Sequence, residues 1–267
     1  DELIYMVPNY LQIRGIARSF GITVKELPLR EELGWQWDMK ELESMISSKT
    51  KMIGVCHPNN PTGSIVSKEN MEKIIDIASG NDCWILSDEV YRGAELNGIE
   101  SPSFYGNYEK TIVNAGLSKA YRLPGLRIGW TVGPKDYIKK AWAFHDYTSI
   151  SIAYHSDWVA SRILDTKRRK QILDGTKQHL NQNMNTLVEW IDTCDGKLSL
   201  SPPQAGAIAF VRIKMDIPSQ DLTYHIRDKF SVLLTAGKWF GLEGFLRFGY
   251  GPPNEYLLEA LDRIGQS

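Results

Sequence analysis

The chain has no excess of either charge: 31 Lys and Arg stand against 32 Asp and Glu, for a formal net charge of −1. Without a basic or acidic bias there is no electrostatic footing for nucleic acid or an anionic membrane, and neither is expected as a partner. Cysteine is scarce. Cys56, Cys83 and Cys194 are odd in number and widely spaced, which excludes a disulfide framework and the paired spacing of a zinc site. A reducing, cytoplasmic setting is expected. No apolar run reaches about 18 residues, so no transmembrane helix is expected. No GxGxxG follows a strand pattern, which argues against a dinucleotide-dependent dehydrogenase. His57, His145, His155, His179 and His225 share no metal-ligating spacing with Cys or carboxylates, so no metal is expected. The sequence also has no initiator Met and no signal-peptide pattern, opening instead on DELIYMV, which reads as a buried strand. Domains rarely begin inside their own sheet, so a missing N-terminal segment is expected.

What the 267 residues do contain is alternation, over a length that suits one large domain or two smaller ones. Strand patterns at Leu3–Val7, Thr23–Leu27, Met52–Val55, Trp84–Ser87, Thr111–Asn114 and Arg127–Val132 are separated by helical ones. Asp38 with Glu41 resembles a capping box, and Ser67 is placed to cap a helix running through Ala78. Strands alternating with helices predict an α/β fold: a mostly parallel sheet with helices on both faces. From Pro134 to about Cys194 the pattern is helical, with a break near Asp165–Lys170. The run TKRRK there reads as a solvated helix face. Strand patterns at Ala207–Lys214, Ser231–Thr235 and Phe245–Phe248, with helices at Ser219–Lys229 and Glu255–Ile264, predict a smaller α+β unit. The division expected is a large domain over 1–165 and a small C-terminal domain over 166–267.

In an open α/β sheet, ligands bind beyond the carboxyl ends of the strands. CHPNNPTG follows the third strand pattern, SDEVY ends the fourth, and AGLSKAYRLPGLR follows the fifth. Each element has a purely structural reading. NNPTG makes a sharp loop on any account. Asp88 suits a helix cap or ion pair, Tyr91 core packing, Lys119 a surface amine on an apolar stem, and Arg127 a surface ion pair. Their convergence on one rim favours a site. Lys119 lies among small and apolar residues; were it buried, desolvation would favour its neutral, nucleophilic amine.

In this order, NNPTG (Asn59–Gly63), DEVY (Asp88–Tyr91), SKAYRLPGLRIG (Ser118–Gly129) and LRFGYG (Leu246–Gly251) carry a resemblance that spans essentially the whole chain. The sequence resembles the fold-type I, pyridoxal-5'-phosphate-dependent aminotransferases of classes I and II, the aspartate aminotransferase-like enzymes. The resemblance implies that Lys119 forms a Schiff base with pyridoxal 5'-phosphate and then moves the substrate's Cα proton as base and acid. It further implies that Asp88 keeps the pyridine nitrogen protonated. Tyr91 and Asn60 would bond the cofactor's 3'-oxygen, and Arg127 and Ser118 its phosphate. Tyr10, in Pro8-Asn9-Tyr10, would stack on the ring. Arg247 would clamp the substrate α-carboxylate beside Asn60, its planar guanidinium matching the planar carboxylate. The implied partners are an amino acid, a 2-oxo acid and a second copy in a homodimer.

Two departures stand out. Gly116 occupies the position where many relatives carry a phosphate-binding Ser or Thr. The family's glycine-rich phosphate turn, which precedes the segment matching DELIYMVPNY, lies outside this sequence. The same residues serve lyases and oxidases that use this cofactor, and a non-catalytic relative is a further alternative.

Overall fold

A computed structural model describes residues 1–265. The first part runs β1 (Glu2–Val7), α1 (Leu11–Ser19), β2 (Thr23–Pro28), α2 (Met39–Met45), β3 (Thr50–Cys56), α3 (Lys68–Gly80), β4 (Trp84–Asp88), β5 (Thr111–Gly116) and β6 (Gly129–Val132). These six strands form one sheet in the order β2-β1-β3-β4-β5-β6. All its pairs are parallel except β5 with β6. Three helices follow, α4 (Lys135–His145), α5 (Tyr154–Ile163) and α6 (Thr166–Asp192). The rest is β7 (Leu198–Leu200), β8 (Ile208–Ile213), α7 (Ser219–Phe230), β9 (Thr235–Ala236), β10 (Phe245–Gly249) and α8 (Asn254–Gly265), with an antiparallel sheet ordered β7-β8-β10-β9.

Strand alternation explains the layering. On β1, Ile4 and Met6 pack in one cluster with Leu42 of α2 and Met71 and Ile74 of α3. Leu3 and Tyr5 point the other way, against Ala17 and Ile13 of α1. A strand buried on both faces reads as a continuous apolar run, which is why ELIYMV lacks alternation. Local signals set several helix ends. Ser67 accepts from the backbone of Asn70, as expected of a cap. Asp38 accepts from Lys40 and Glu41, but Glu41 does not reciprocate; its carboxylate bonds Arg30 at 2.7 Å, so the capping box is only half made.

Four expectations require correction. The helical run after Pro134 breaks twice, between His145 and Tyr154 and again at Leu164–Asp165. The first break holds TSIS, poor in helix formers, with Ile150 at φ 61°. At the second, Asp165 caps α6 by accepting from Lys167 and Arg168. TKRRK is therefore a first helical turn, and not all of it is solvated. Arg169 bonds both carboxylate oxygens of Glu100 at 2.7 and 2.8 Å and donates to the Tyr121 hydroxyl at 3.0 Å. The strand expected over Ser231–Thr235 shrinks to Thr235–Ala236, because Ser231 ends α7 in a left-handed conformation. Finally, β7 was not foreseen. Among the described residues no helix is long and apolar enough to cross a membrane.

His57, the first residue beyond β3, is fully buried. Its Nδ1 accepts from the Val66 amide and its Nε2 bonds Pro102 O, both at 3.0 Å, an arrangement that requires the neutral ring. Burial pulls its pKa down from 6.5 to about 4. A depressed folded pKa gives stability that is complete above 6.5 and is lost as pH falls toward 4; the gap is worth roughly 3 kcal/mol. Chemical denaturation at pH 7.5 and pH 4 is expected to show that much more loss in the wild type than in His57→Gln, and equal losses would refute the assignment.

Candidate active site

The strand order reverses direction between β1 and β3, since the chain winds outward to β2 on one side and to β4, β5 and β6 on the other. Connections diverge at such a point and leave a crevice at the strands' carboxyl ends. Pro8-Asn9-Tyr10 leaves β1 there and CHPNNPTG leaves β3. The two loops are tied together, Asn59 Nδ2 donating to Pro8 O at 3.2 Å and to Thr62 Oγ1 at 2.9 Å. The Tyr5 hydroxyl, from within β1, donates to Tyr10 O at 2.9 Å and so holds the turn carrying Tyr10. Its ring needs Gly54 beside it on β3, where a Cβ would come within 2.6 Å.

The resulting cleft has two lobes. The first, about 380 Å³, is lined by Asp88, Cys56, Gly116 and Arg127. The second, about 560 Å³, is lined by Arg122, His179, Arg247 and Ile208. Tyr10, Asn60, Tyr91, Ser118, Lys119 and Pro124 line both. All eight residues singled out from the sequence therefore lie on one cleft, with Lys119 where its lobes meet.

Individual placements refine the expectations. Lys119 is exposed rather than buried, its Nζ 5.9 Å from the centroid of the Tyr91 ring. The cleft is open over it, so desolvation by the chain alone is not its environment. Tyr91 is buried, and burial pushes its phenol well above the usual range. Asp88 ends β4 with Oδ1 accepting from the Val90 amide at 3.2 Å. Burial raises its carboxyl pKa, helped by Glu89; the Val90 amide and the charge of Lys119 oppose the shift. Arg127 does not begin a strand. It sits in the left-handed region at φ 54°, ending a tight turn over Pro124–Leu126, with Nη1 bonded to Pro124 O at 2.8 Å. Arg247, on β10, is half-buried and donates to Asn60 Oδ1 at 3.1 Å and Thr235 Oγ1 at 3.3 Å, over the Phe240 ring. Burial lowers its pKa, yet an arginine stays charged. Among the described residues no carboxylate pairs with it.

Gly116 is explained by the backbone. A Cβ there would lie 2.9 Å from Ile128 O and 3.1 Å from Gly129 Cα, because β6 crosses close beside β5. A hydroxyl-bearing residue has no room unless the strands shift.

Residues the sequence reading passed over support the site from behind. Glu89 is buried and accepts from Ser87, Ser103 and the Phe104 amide, each at 3.0 Å. Helix α6 holds the Lys119 loop through Thr176 Oγ1 to Ala120 O and through Arg169 to Tyr121. These partners are far apart in sequence, and no local pattern marks them. Arg122 was within reach, lying inside the quoted SKAYRLPGLR.

The donor set fits pyridoxal phosphate: an amine for an aldehyde, a carboxylate for a ring nitrogen, a cation for a phosphate, and an unpaired cation for a substrate acid. A raised carboxyl pKa means the empty fold holds charged Asp88 at a cost near neutral pH, one that shrinks as pH falls. Asp88→Asn is therefore expected to raise the unfolding midpoint of the cofactor-free chain at pH 7 while weakening pyridoxal phosphate binding at least tenfold, about the worth of one charge-assisted contact. Scanning calorimetry and a cofactor titration would read the two effects, and a lowered midpoint would contradict the first.

Comparison with known proteins agrees with this chemistry. Residues 1–264 match the family described as Aminotransferase class I and II. The chain is 29 % identical over 270 residues to Aromatic-amino-acid aminotransferase 2 of Thermococcus litoralis, covering 99 % of this chain and 69 % of that protein. It is 26 % identical over 268 residues to Capreomycidine synthase of Streptomyces vinaceus, covering 100 % and 68 %. Among solved structures, a PLP-dependent aminotransferase from Streptococcus suis 89-1591 superposes with a TM-score of 0.92 at 33 % identity, over 100 % of this chain and 70 % of that one. The chain thus belongs to the class I and II aminotransferase family of pyridoxal-phosphate-dependent enzymes.

Proposed function

We propose that this chain transfers an amino group from an L-amino acid to a 2-oxo acid, with pyridoxal phosphate in the first lobe and the substrate in the second. The observation that carries this is the position of Lys119 between a lobe holding Asp88 and Arg127 and a lobe holding Arg247. The cofactor, when bound, supplies the electron sink that makes the substrate's Cα–H acidic. The chain's residues do the rest. With the cofactor bound, Lys119 would hold its amine to the aldehyde and, when freed by substrate, would move the Cα proton. Asp88 would hold a proton on the ring nitrogen. Tyr91 and the Asn60 amide group would donate to the ring oxygen, and Tyr10 would stack on the ring. Arg127 and Ser118 would bind phosphate. Arg247, oriented by Asn60 and Thr235, takes the α-carboxylate and thereby aims Cα–H at Lys119.

We divide the chain at residue 165, where Asp165 caps α6: the six-stranded sheet precedes it as the cofactor domain, and the four-stranded sheet follows as the smaller domain. Three free cysteines support a reducing, cytoplasmic setting. A second reading, a lyase or oxidase using the same cofactor, draws on the likeness to a relative named as a synthase.

An absorbance titration with pyridoxal phosphate is expected to give a protein-bound band that is absent in Lys119→Ala. An amino donor should discharge the wild-type band with release of one 2-oxo acid, and a second 2-oxo acid should restore it. Donor turnover in which the band returns without any added 2-oxo acid would favour the lyase or oxidase; no band at all would sink the catalytic reading.

An exposed apolar surface supports a homodimer. Trp142, Phe144, Tyr147, Ile150, Tyr154 and Trp158, on and between α4 and α5, are each 53 % exposed or more. An apolar stretch of this kind marks an interaction site, and we assign it to a second copy of the chain. Light scattering on eluting protein is expected to give twice the chain mass for the wild type and a monomer for Trp142→Glu/Phe144→Glu; a monomeric wild type would overturn the assignment.

A further inference from the structure

Helix α6 reaches backbone beside both Lys119 and Arg247. Thr176 Oγ1 donates to Ala120 O at 3.0 Å, one residue after Lys119. His179 Nε2 donates to Gly251 O at 2.9 Å, and Asn183 Nδ2 donates to Tyr250 O and Pro252 O, both at 2.7 Å. Those three carbonyls lie on the loop that leaves β10, just past Arg247. Positions 176, 179 and 183 follow the spacing i, i+3, i+7, which sets them on one face of a helix. One helix face thus holds the Lys119 loop at one end and the exit of the Arg247 strand at the other.

These contacts are directional and enclosed. Thr176 and Asn183 are both buried. Asn183 spends its two N–H groups on the two carbonyls, and its Oδ1 accepts from Asn254 Nδ2, at the start of α8, at 3.1 Å. A buried amide is favourable only where its partners are met, so it fixes the loop it binds in one place. The other end of the helix is fastened too. Arg169 bonds Glu100 and Tyr121, Lys177 Nζ donates to Asn97 O at 3.0 Å, and Asn181 Nδ2 donates to Leu96 O at 2.9 Å. Between Thr176 and Asn183, seven residues of α-helix span about 10 Å, a length that the hydrogen-bonded backbone holds constant.

We propose that Thr176 and Asn183 are positioning residues: through α6, their bonds to Ala120 O and to Tyr250 O and Pro252 O set the separation of the Lys119 amine from the Arg247 guanidinium. This rests on the reading of Lys119 as the reacting amine and Arg247 as the carboxylate-binding group. A substrate held by its carboxylate at Arg247 must present its nitrogen and Cα–H at Lys119. The separation therefore has to match one molecule, and an error of about 1 Å can lower the rate roughly a hundredfold. Both residues act through the backbone, not on the substrate.

The test uses the full chain loaded with pyridoxal phosphate and two unreactive probes. Propionate needs only Arg247. 2-Methylalanine carries a carboxylate and an amine but no Cα–H, so it engages both ends and goes no further. Calorimetry reads the first, and the change in the protein-bound band reads the second. Thr176→Val keeps the side-chain shape and removes the hydroxyl. It is expected to weaken 2-methylalanine about three- to tenfold, the range of one hydrogen bond, with propionate held within about twofold. In steady-state assays its kcat with an amino donor should fall about tenfold or more. Thr176→Ser, which keeps the hydroxyl and loses the methyl, should restore 2-methylalanine binding; a residue serving only as packing would respond to the methyl as well. The double variant Thr176→Val/Asn183→Leu should bind 2-methylalanine no more weakly than the worse single variant, since cutting either end frees the separation, whereas losses in unfolding midpoint should add. If Asn183→Leu does not fold, the Val and Ser variants decide alone. Equal loss of both probes in Thr176→Val, loss of neither, no rescue by Ser, or additive losses of 2-methylalanine overturns the proposal. If the Lys119-dependent band forms in the wild type, that failure is confined to α6; if it does not form, the aminotransferase reading fails and takes the proposal with it.

Discussion

The parallel hydrogen-bond ladder through β1, β3, β4 and β5 is the constraint on which the site depends. Parallel pairing makes successive strands end at the same edge, so each sends its next loop to one rim. The register places Cys56 beside Asp88 and Asp88 beside Asn114 on adjacent strands. The Asp88 carboxylate, an amide-bearing loop and a lysine loop therefore meet within a few residues of their strand ends. The reversal between β1 and β3 opens the space that they share.

The cleft then works by uneven charge. Asp88 is its acid, partly desolvated at the floor of one lobe, and the cations gather around and beyond it. Arg247 is a half-buried guanidinium with two neutral acceptors and an aromatic face but, among the described residues, no carboxylate. Such a group is costly to bury without a counter-charge. Behind the cleft, buried Glu89 and helix α6 hold the loops in place, a rigid support for groups that must be oriented rather than numerous.

Much of this was legible because it is local. NNPTG, DEVY and SKAYRLPGLRIG are turns and strand ends whose composition marks them without knowledge of the fold. Burial on both faces wrote β1 and β3 as apolar runs. The failures were of another kind. Whether Lys119 is buried was open, because its neighbours are small and apolar; those neighbours pack inward while the lysine is exposed on the cleft. TKRRK looked solvated because like charges usually are, yet Arg169 finds Glu100 and Tyr121, dozens of residues away. The strand expected to start at Arg127 begins two residues later, because a tight turn over Pro124–Leu126 leaves the arginine left-handed.

By itself the sequence determined the alternation of strands and helices and the order of the polar loops, because these follow from side-chain periodicity and turn chemistry within a few neighbours. Only the tertiary structure decided which groups remain unpaired. Whether an arginine meets a carboxylate, a backbone carbonyl or a neutral side chain depends on chain segments far from it. Arg169, Arg127 and Arg247 are one residue type in three different electrostatic settings, and those settings come from packing.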